Sequence, residues 1–194
     1  MSNLKQDMNE IIDSSIKAVF PEAAVKEALN DPRFLSRKNK GRVIVASIGK
    51  AAWRMAKAAS DILGSEISGA VVTKYEHSMG DIKGLEIFEA GHPVLDENTL
   101  KGTKALLEHV KNLTSDDTVL FLVSGGGSAL FELPAEGVTL ADMKDITSQL
   151  LACGADIVEI NTIRKHLSSV KGGRFAELCK PAHVFMVVLS DVLG

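Results

Sequence analysis

The sequence predicts an α/β fold, an open sheet of mostly parallel strands joined through helices. Three observations carry that reading. Short apolar, often β-branched runs recur at residues 42–48, 69–73, 119–123 and 183–189. Runs of that length without polar alternation are what strands buried on both faces look like. Segments with apolar residues at helical spacing lie between them. Several of these runs end in glycine-rich or polar turns, at the carboxyl edge where an open α/β sheet meets its ligands.

Composition narrows the class. With 194 residues, 45% hydrophobic and 24% charged, the chain has enough apolar length for a substantial core, which sets aside disorder, collagen and coiled coil. A net charge of −3 argues against a nucleic-acid partner, which favours a clustered basic excess. Cys153 and Cys179 lack metal-type spacing and the histidines do not complete one, so zinc is set aside and a reduced compartment is expected. The first ten residues lack a signal-peptide core and no run reaches membrane-spanning length. A soluble, cytoplasmic protein with no membrane partner is therefore expected.

Taken in order, Leu4, Met8, Ile11, Ile12 and Val19 share one face and predict an amphipathic helix over residues 4–20, ended near Pro21. Residues 22–29 suit a short second helix, broken at Asp31-Pro32. RVIVASI (42–48) is a strand that leads into Gly49-Lys50 and a helix carrying Ala52, Met55, Ala59, Ile62 and Leu63, stopped by Gly64. Lys50 thus sits at the ligand edge and at a helix start, where the helix dipole disfavours a cation. A bound anion would offset that cost; a solvated lysine is the alternative.

GAVVT (69–73) is the next strand, with the polar segment KYEHS at its end, and residues 85–89 form a third, edge strand. His92 follows in the turn AGHP and is open to three roles: ligand contact, general base or satisfied structural histidine. Asp96 is the N-cap of a helix that buries Leu100, Thr103, Leu107 and Val110.

The most informative stretch is VLFLVSGGGSAL (119–130), an apolar strand running into three glycines bracketed by serines. Gly125, Gly126 and Gly127 let backbone N–H groups approach a phosphate or carboxylate, and Ser124 and Ser128 add hydroxyls. Residues 131–137 read as loop, and Thr139 with Asp142 starts a helix through Met143, Ile146 and Leu150, closed by Gly154. Asp156 and Glu159 start another. Asn161, Arg164, Lys165, Ser168 and Lys171 are expected along one side of it until Gly172-Gly173. That stripe is cationic and amide-bearing with no acid among its members, which points to a bound anion. The last strand, 183–189, is followed by no crossover helix. A fragment, or a cover supplied from outside this chain, is the expectation.

Three standard anion or nucleophile motifs fail. A P-loop needs glycine where Ile44 stands and Ser or Thr in place of Ala51. The dinucleotide fingerprint counted from Gly125 meets Leu130 at its third glycine, and a nucleophile elbow around Ser128 fails at the same residue.

The segments SIGKAA (47–52), AGHPVLDENT (90–99), LVSGGGSAL (122–130), EINTIRKHLSSVKGGR (159–174) and LSDVLG (189–194), in this order, resemble the glycerate 2-kinase family. Its members carry a C-terminal MOFRL domain, and older naming often called them hydroxypyruvate reductases. The resemblance runs from about residue 5 to the end and covers the N-terminal domain only. It implies a Rossmann-like three-layer domain over residues 1–194, with helices on both faces of the sheet, and a missing C-terminal MOFRL domain that would complete the active-site cleft. It further implies ATP-dependent phosphorylation of D-glycerate to 2-phosphoglycerate, with Mg²⁺ on the nucleotide. Phosphoryl transfer chiefly needs positioning and charge stabilisation. Lys50 is then expected at the transferring phosphoryl or the substrate carboxylate, and Ser124, Gly125, Gly126, Gly127 and Ser128 as a phosphate cradle. Asn161, Arg164 and Lys171 would bind substrate or phosphates, His92 would be a ligand contact, and Asp191 would hold Mg²⁺ or accept the hydroxyl proton. Two other readings stand beside it: an NAD(P)H-dependent hydroxypyruvate reductase, which lacks its fingerprint, and a non-catalytic anion-binding fragment. A homo-oligomer is left open, and the isolated chain is expected to be inactive.

Overall fold

Strand formation follows the apolar runs. Five strands, β1 (Val43–Ile48), β2 (Ile67–Lys74), β3 (Leu85–Ala90), β4 (Thr118–Ser124) and β5 (His183–Leu189), form one sheet in the order β3-β2-β1-β4-β5. Every adjacent pair is parallel. The computed structural model describes residues 2–64 and 66–190. The chain winds outward from β1 through β2 to β3, then returns to the other side of β1 with β4 and β5. The direction therefore reverses between β1 and β4, and an α/β sheet opens a crevice beyond the strand ends at such a switch point.

Alternation along the strands builds a core on each face. Val43 and Val45 of β1, Val71 of β2 and Leu120 and Leu122 of β4 face one way. They pack under α2 (Pro21–Leu29), α3 (Pro32–Leu35) and α4 (Ala52–Leu63), with Val25, Phe34 and Met55 fully or almost fully buried. Ile44, Ala46, Ala70 and Val119 face the other way, against α5 (Glu97–His109), α6 (Gly127–Leu130) and, farther along the chain, α9 (Arg174–Leu178). The result is the three-layer Rossmann-like fold expected from the sequence. Helix starts are set locally: Asp96, Thr139 and Asp156 each close a reciprocal capping box, at the start of α5, α7 (Leu140–Ala152) and α8 (Ile157–His166).

Two expectations are corrected. The helix begun at Asp156 stops at His166, so Ser168 and Lys171 do not continue its cationic face. Tertiary pairing claims that backbone instead: Ser168 bridges Pro134, the Ser169 N–H donates to the Leu133 carbonyl at 2.7 Å, and the Ala135 N–H donates to the Leu167 carbonyl at 2.8 Å. The one-turn helices α6 and α9 also form where the sequence suggests only turns. The apolar face of α1 (Ser2–Ala18) is present, but Leu4, Met8, Ile11, Ile12 and Ile16 are each at least half exposed. Edge strand β5 likewise leaves Met186 and Val188 57% exposed. Among the described residues no helix is long and apolar enough to cross a membrane.

At the amino edge of the sheet, opposite the switch-point crevice, the buried carboxylate of Asp117 ties the starts of β1 and β4 together. It accepts the Arg42 backbone N–H at 2.8 Å, the Arg42 guanidinium at 2.8 Å and the Thr114 N–H at 2.8 Å. Arg42 foremost, helped by the backbone N–H groups of Thr114 and Arg42, holds the Asp117 carboxyl well below the usual carboxylate range despite its burial. A depressed folded-state value stabilises the fold above the unfolded value, and the contribution is lost as the pH falls. Asp117→Ala should cost roughly 2–3 kcal/mol near neutral pH. In urea unfolding as a function of pH, the wild-type advantage should be full above about pH 4 and shrink steadily below it.

Candidate active site

The turns after β1 and β4 meet at the switch point and are bonded to each other. The Lys50 N–H donates to the Gly125 carbonyl at 2.8 Å, and the Ala51 N–H donates to Ser124 Oγ at 3.0 Å. Ser124 Oγ in turn donates to the Ile48 carbonyl at 3.3 Å. The Gly49 N–H donates to the Val72 carbonyl at 3.1 Å. All three amides of the β1 turn are thus consumed inside the protein, so this turn can offer a ligand only the Lys50 side chain. Gly49 has φ +113°, and a side chain there would strike the Ser124 hydroxyl and carbonyl. Glycine is what lets the two turns close on each other.

The β4 turn is the reverse case. The backbone N–H groups of Gly126, Gly127 and Ser128 have no acceptor among the described residues. Gly126 has φ +84°, and a Cβ built on it would lie 2.8 Å from His92 Nε2 and 3.2 Å from the Lys50 stem. Gly126, His92 and Lys50 are therefore packed together at the mouth of the crevice. Backbone amides left without an acceptor at a glycine turn beside a cation are the setting in which anions bind. A cavity of about 640 Å³ lined by Lys50, Ala51, Ser124 and Gly125 opens on the α2 side of the sheet. A second, about 430 Å³ and mostly apolar, lies on the other side between Gly127, Ser128 and Lys171.

The remaining site residues fall into three groups. Arg164, on α8, reaches the same glycine turn and donates from Nη2 to the Ser128 carbonyl at 3.2 Å, while its buried Nε finds no hydrogen-bond partner. Lys171 lies in the turn before α9 and pairs with the fully buried Glu132 carboxylate, donating also to the Phe131 carbonyl at 2.9 Å. Burial pushes the Lys171 ammonium below its ordinary value, Glu132 opposes that, and the charge of Arg164 adds to it. Lys171 thus pairs with the buried carboxylate, while Arg164 stands near enough to act on the lysine electrostatically. Asn161 is exposed on α8, one turn before Arg164. Asp191 lies outside the described residues. Among the described residues no three acidic, histidine or cysteine side chains gather to hold a metal ion.

Three contributors have weak sequence signals. Glu132 is a lone acid inside the apolar run ALFEL, and only its burial marks it. Thr73 and His77 close the β1 turn from the β2 side: Thr73 Oγ1 donates to the Gly49 carbonyl at 3.1 Å and His77 Nδ1 lies 2.9 Å from the Lys50 carbonyl. The polar cluster after the β2 run places His77 at the ligand edge, but no motif assigns it a role.

A doubly wound sheet whose switch point joins a lysine-bearing turn to a glycine turn defines an open α/β protein of the three-layer class. Comparison with known proteins makes the class specific. Residues 7–194 match a family described as Domain of unknown function (DUF4147). Over 99% of its length the chain is 60% identical to a D-glycerate 2-kinase of Thermotoga maritima, and over 98% it is 43% identical to a glycerate 2-kinase of Pyrococcus horikoshii. It superposes on the crystal structure of a glycerate kinase from Thermotoga maritima with a TM-score of 0.88 and 59% identity, covering 100% of this chain and 46% of that one. The chain belongs to the glycerate 2-kinase family. It spans 45% of the length of each of these two curated relatives.

Gly126 and Gly137 share a left-handed backbone, with φ +84° and +79°, but a Cβ at Gly137 meets nothing within 4 Å. Alanine at either position should cost about 1–2 kcal/mol of stability for backbone strain. Gly126→Ala alone should in addition shift the His92 ring resonances in an NMR spectrum, because only its Cβ enters that contact.

Proposed function

We propose that this chain is the N-terminal half of an ATP-dependent D-glycerate 2-kinase and forms one wall of a cleft completed by a second domain. The observation that carries the reading is Lys50 packed against Gly126 at the switch point, beside a glycine turn whose Gly126, Gly127 and Ser128 amides find no acceptor among the described residues, in a chain 60% identical to a D-glycerate 2-kinase. When bound, ATP supplies the phosphoryl group, which passes to a glycerate hydroxyl as the bond to the ADP oxygen breaks.

The part of this chain is electrostatic and positional. The Gly126, Gly127 and Ser128 amides hold phosphate oxygens, and their fixed direction orients the group without reorganisation. Lys50 neutralises charge that spreads over the transferring phosphoryl or, in the alternative placement, the substrate carboxylate. Arg164 and Lys171 carry one positive charge more than Glu132 balances, which suits the remaining phosphates or the carboxylate of glycerate. His92, packed against Gly126, is a further contact, and Asn161, exposed one turn before Arg164 on α8, is a candidate for another. The family resemblance assigns Mg²⁺ to the nucleotide, where phosphates and water satisfy most of its six positions. Asp191 is the candidate carboxylate for that ion or for the hydroxyl proton.

In the intact enzyme Lys50→Ala should lower kcat by about 100- to 1000-fold, the effect of removing one donor to transition-state charge, with the unfolding midpoint unchanged. The assay is ADP release on adding D-glycerate, run beside NAD(P)H oxidation on adding hydroxypyruvate, which should stay at background. Wild-type turnover in Lys50→Ala would remove the residue from the site, and hydroxypyruvate-dependent NAD(P)H oxidation would favour the reductase.

A further inference from the structure

The lysine turn is gripped from two sides, and the grip from β2 belongs to residues outside every motif of the glycine-rich edge. On that side the two carbonyls of the turn both point at β2. Thr73, fully buried at the carboxyl end of β2, donates its hydroxyl to the Gly49 carbonyl at 3.1 Å and lies 3.4 Å from the Lys50 carbonyl. His77 places Nδ1 at 2.9 Å from that same Lys50 carbonyl. A carbonyl only accepts, so Nδ1 carries the proton and the ring is fixed in one tautomer and one orientation. His77 is held in its turn by β3: Glu89 accepts the N–H of His77 at 3.0 Å and of Ser78 at 2.8 Å. Glu89, His77 and the Lys50 carbonyl thus form a chain of contacts that begins two strands away from the lysine.

We propose that His77, backed by Thr73 and Glu89, is a positioning residue that sets the aim of the Lys50 side chain by fixing the carbonyl of the same residue. The inference rests on the reading of Lys50 as the lysine that stabilises phosphoryl charge. Its physical basis is leverage. The amide of Lys50 is pinned to Gly125 and its carbonyl to His77, so the Cα between them has little rotational freedom and the long side chain leaves from a fixed point. Without the imidazole, one end of that peptide segment is released. A displacement of about 1 Å in a catalytic group can cost as much as 100-fold in rate.

The test is a set of variants in the intact enzyme, read by steady-state ADP release. His77→Ala should lower kcat between about 10- and 100-fold with KM for ATP and for D-glycerate little changed, because the binding groups on β4 and α8 are untouched. His77→Asn should recover most of kcat, since its side-chain amide nitrogen can donate from the place of Nδ1. The half-exposed position of His77 predicts soluble, folded variants. If His77→Ala fails to fold, Thr73→Val against Thr73→Ser asks the same question from β2, with loss expected only in the former. Wild-type kcat in His77→Ala or Thr73→Val, while Lys50→Ala has collapsed, overturns the positioning role and leaves the reading of Lys50 standing. Asparagine as inactive as alanine also overturns it, in favour of a direct chemical role for the ring. Full turnover in Lys50→Ala sinks both.

Discussion

Everything at the ligand edge depends on the bonding between two turns that are 73 residues apart in sequence, Ala51 on Ser124. Strands β1 and β4 are neighbours only because the chain reverses its winding between them, and nothing local to either turn fixes its shape. Each turn is shaped by the other: the serine at the end of β4 accepts from one turn of the chain and donates to the carbonyl of Ile48, while Gly125 accepts the lysine amide. The arrangement couples folding to function, since the site does not exist until the central pair of strands has formed. Asp117 does the same at the far end of the same pair. β1 and β4 are thus cross-linked by polar groups at both ends and by apolar packing between.

The quality of packing falls off away from that central pair. β1 is buried along its whole length, whereas every residue of β5 is at least partly exposed. The helices that cover β1 and β2 are amphipathic and inserted; α1 shows an apolar face to solvent, and α8 buries only Ile160. Such surfaces bury little area, and the stability of the domain rests on its centre.

Strand positions were legible because burial on both faces leaves a continuous apolar run, and RVIVASI and HVFMVVL have no other reading. Capped helices were legible because Asp96, Thr139 and Asp156 carry their signal within four residues. The edge itself was half legible. Gly125 to Gly127 announce a turn that must approach something, and Lys50 announces a cation at a helix start. The mistaken extension of α8 through Lys171 has a plain physical source. Helical spacing continued past His166, but backbone bonding to Leu133, Pro134 and Ala135 outweighed it, and a non-local partner leaves no trace in periodicity. Glu132 and His77 were illegible for the same reason, since their partners lie 39 and 27 residues away.

The β1 turn spends all its amides on the protein and exposes a side chain, whereas the β4 turn exposes amides and has no side chain to offer at its glycines. The two halves of the edge are consequently open to different kinds of inherited change. A single codon can alter the charge, length or donor number of the group at position 50 without touching the backbone beneath it. No codon can retune an amide; it can only be moved, by disturbing the glycines that shape its path. A lineage exploring new anionic ligands would be expected to vary the lysine side and keep the glycine side, so that one turn serves as the adjustable part and the other as the fixed gauge.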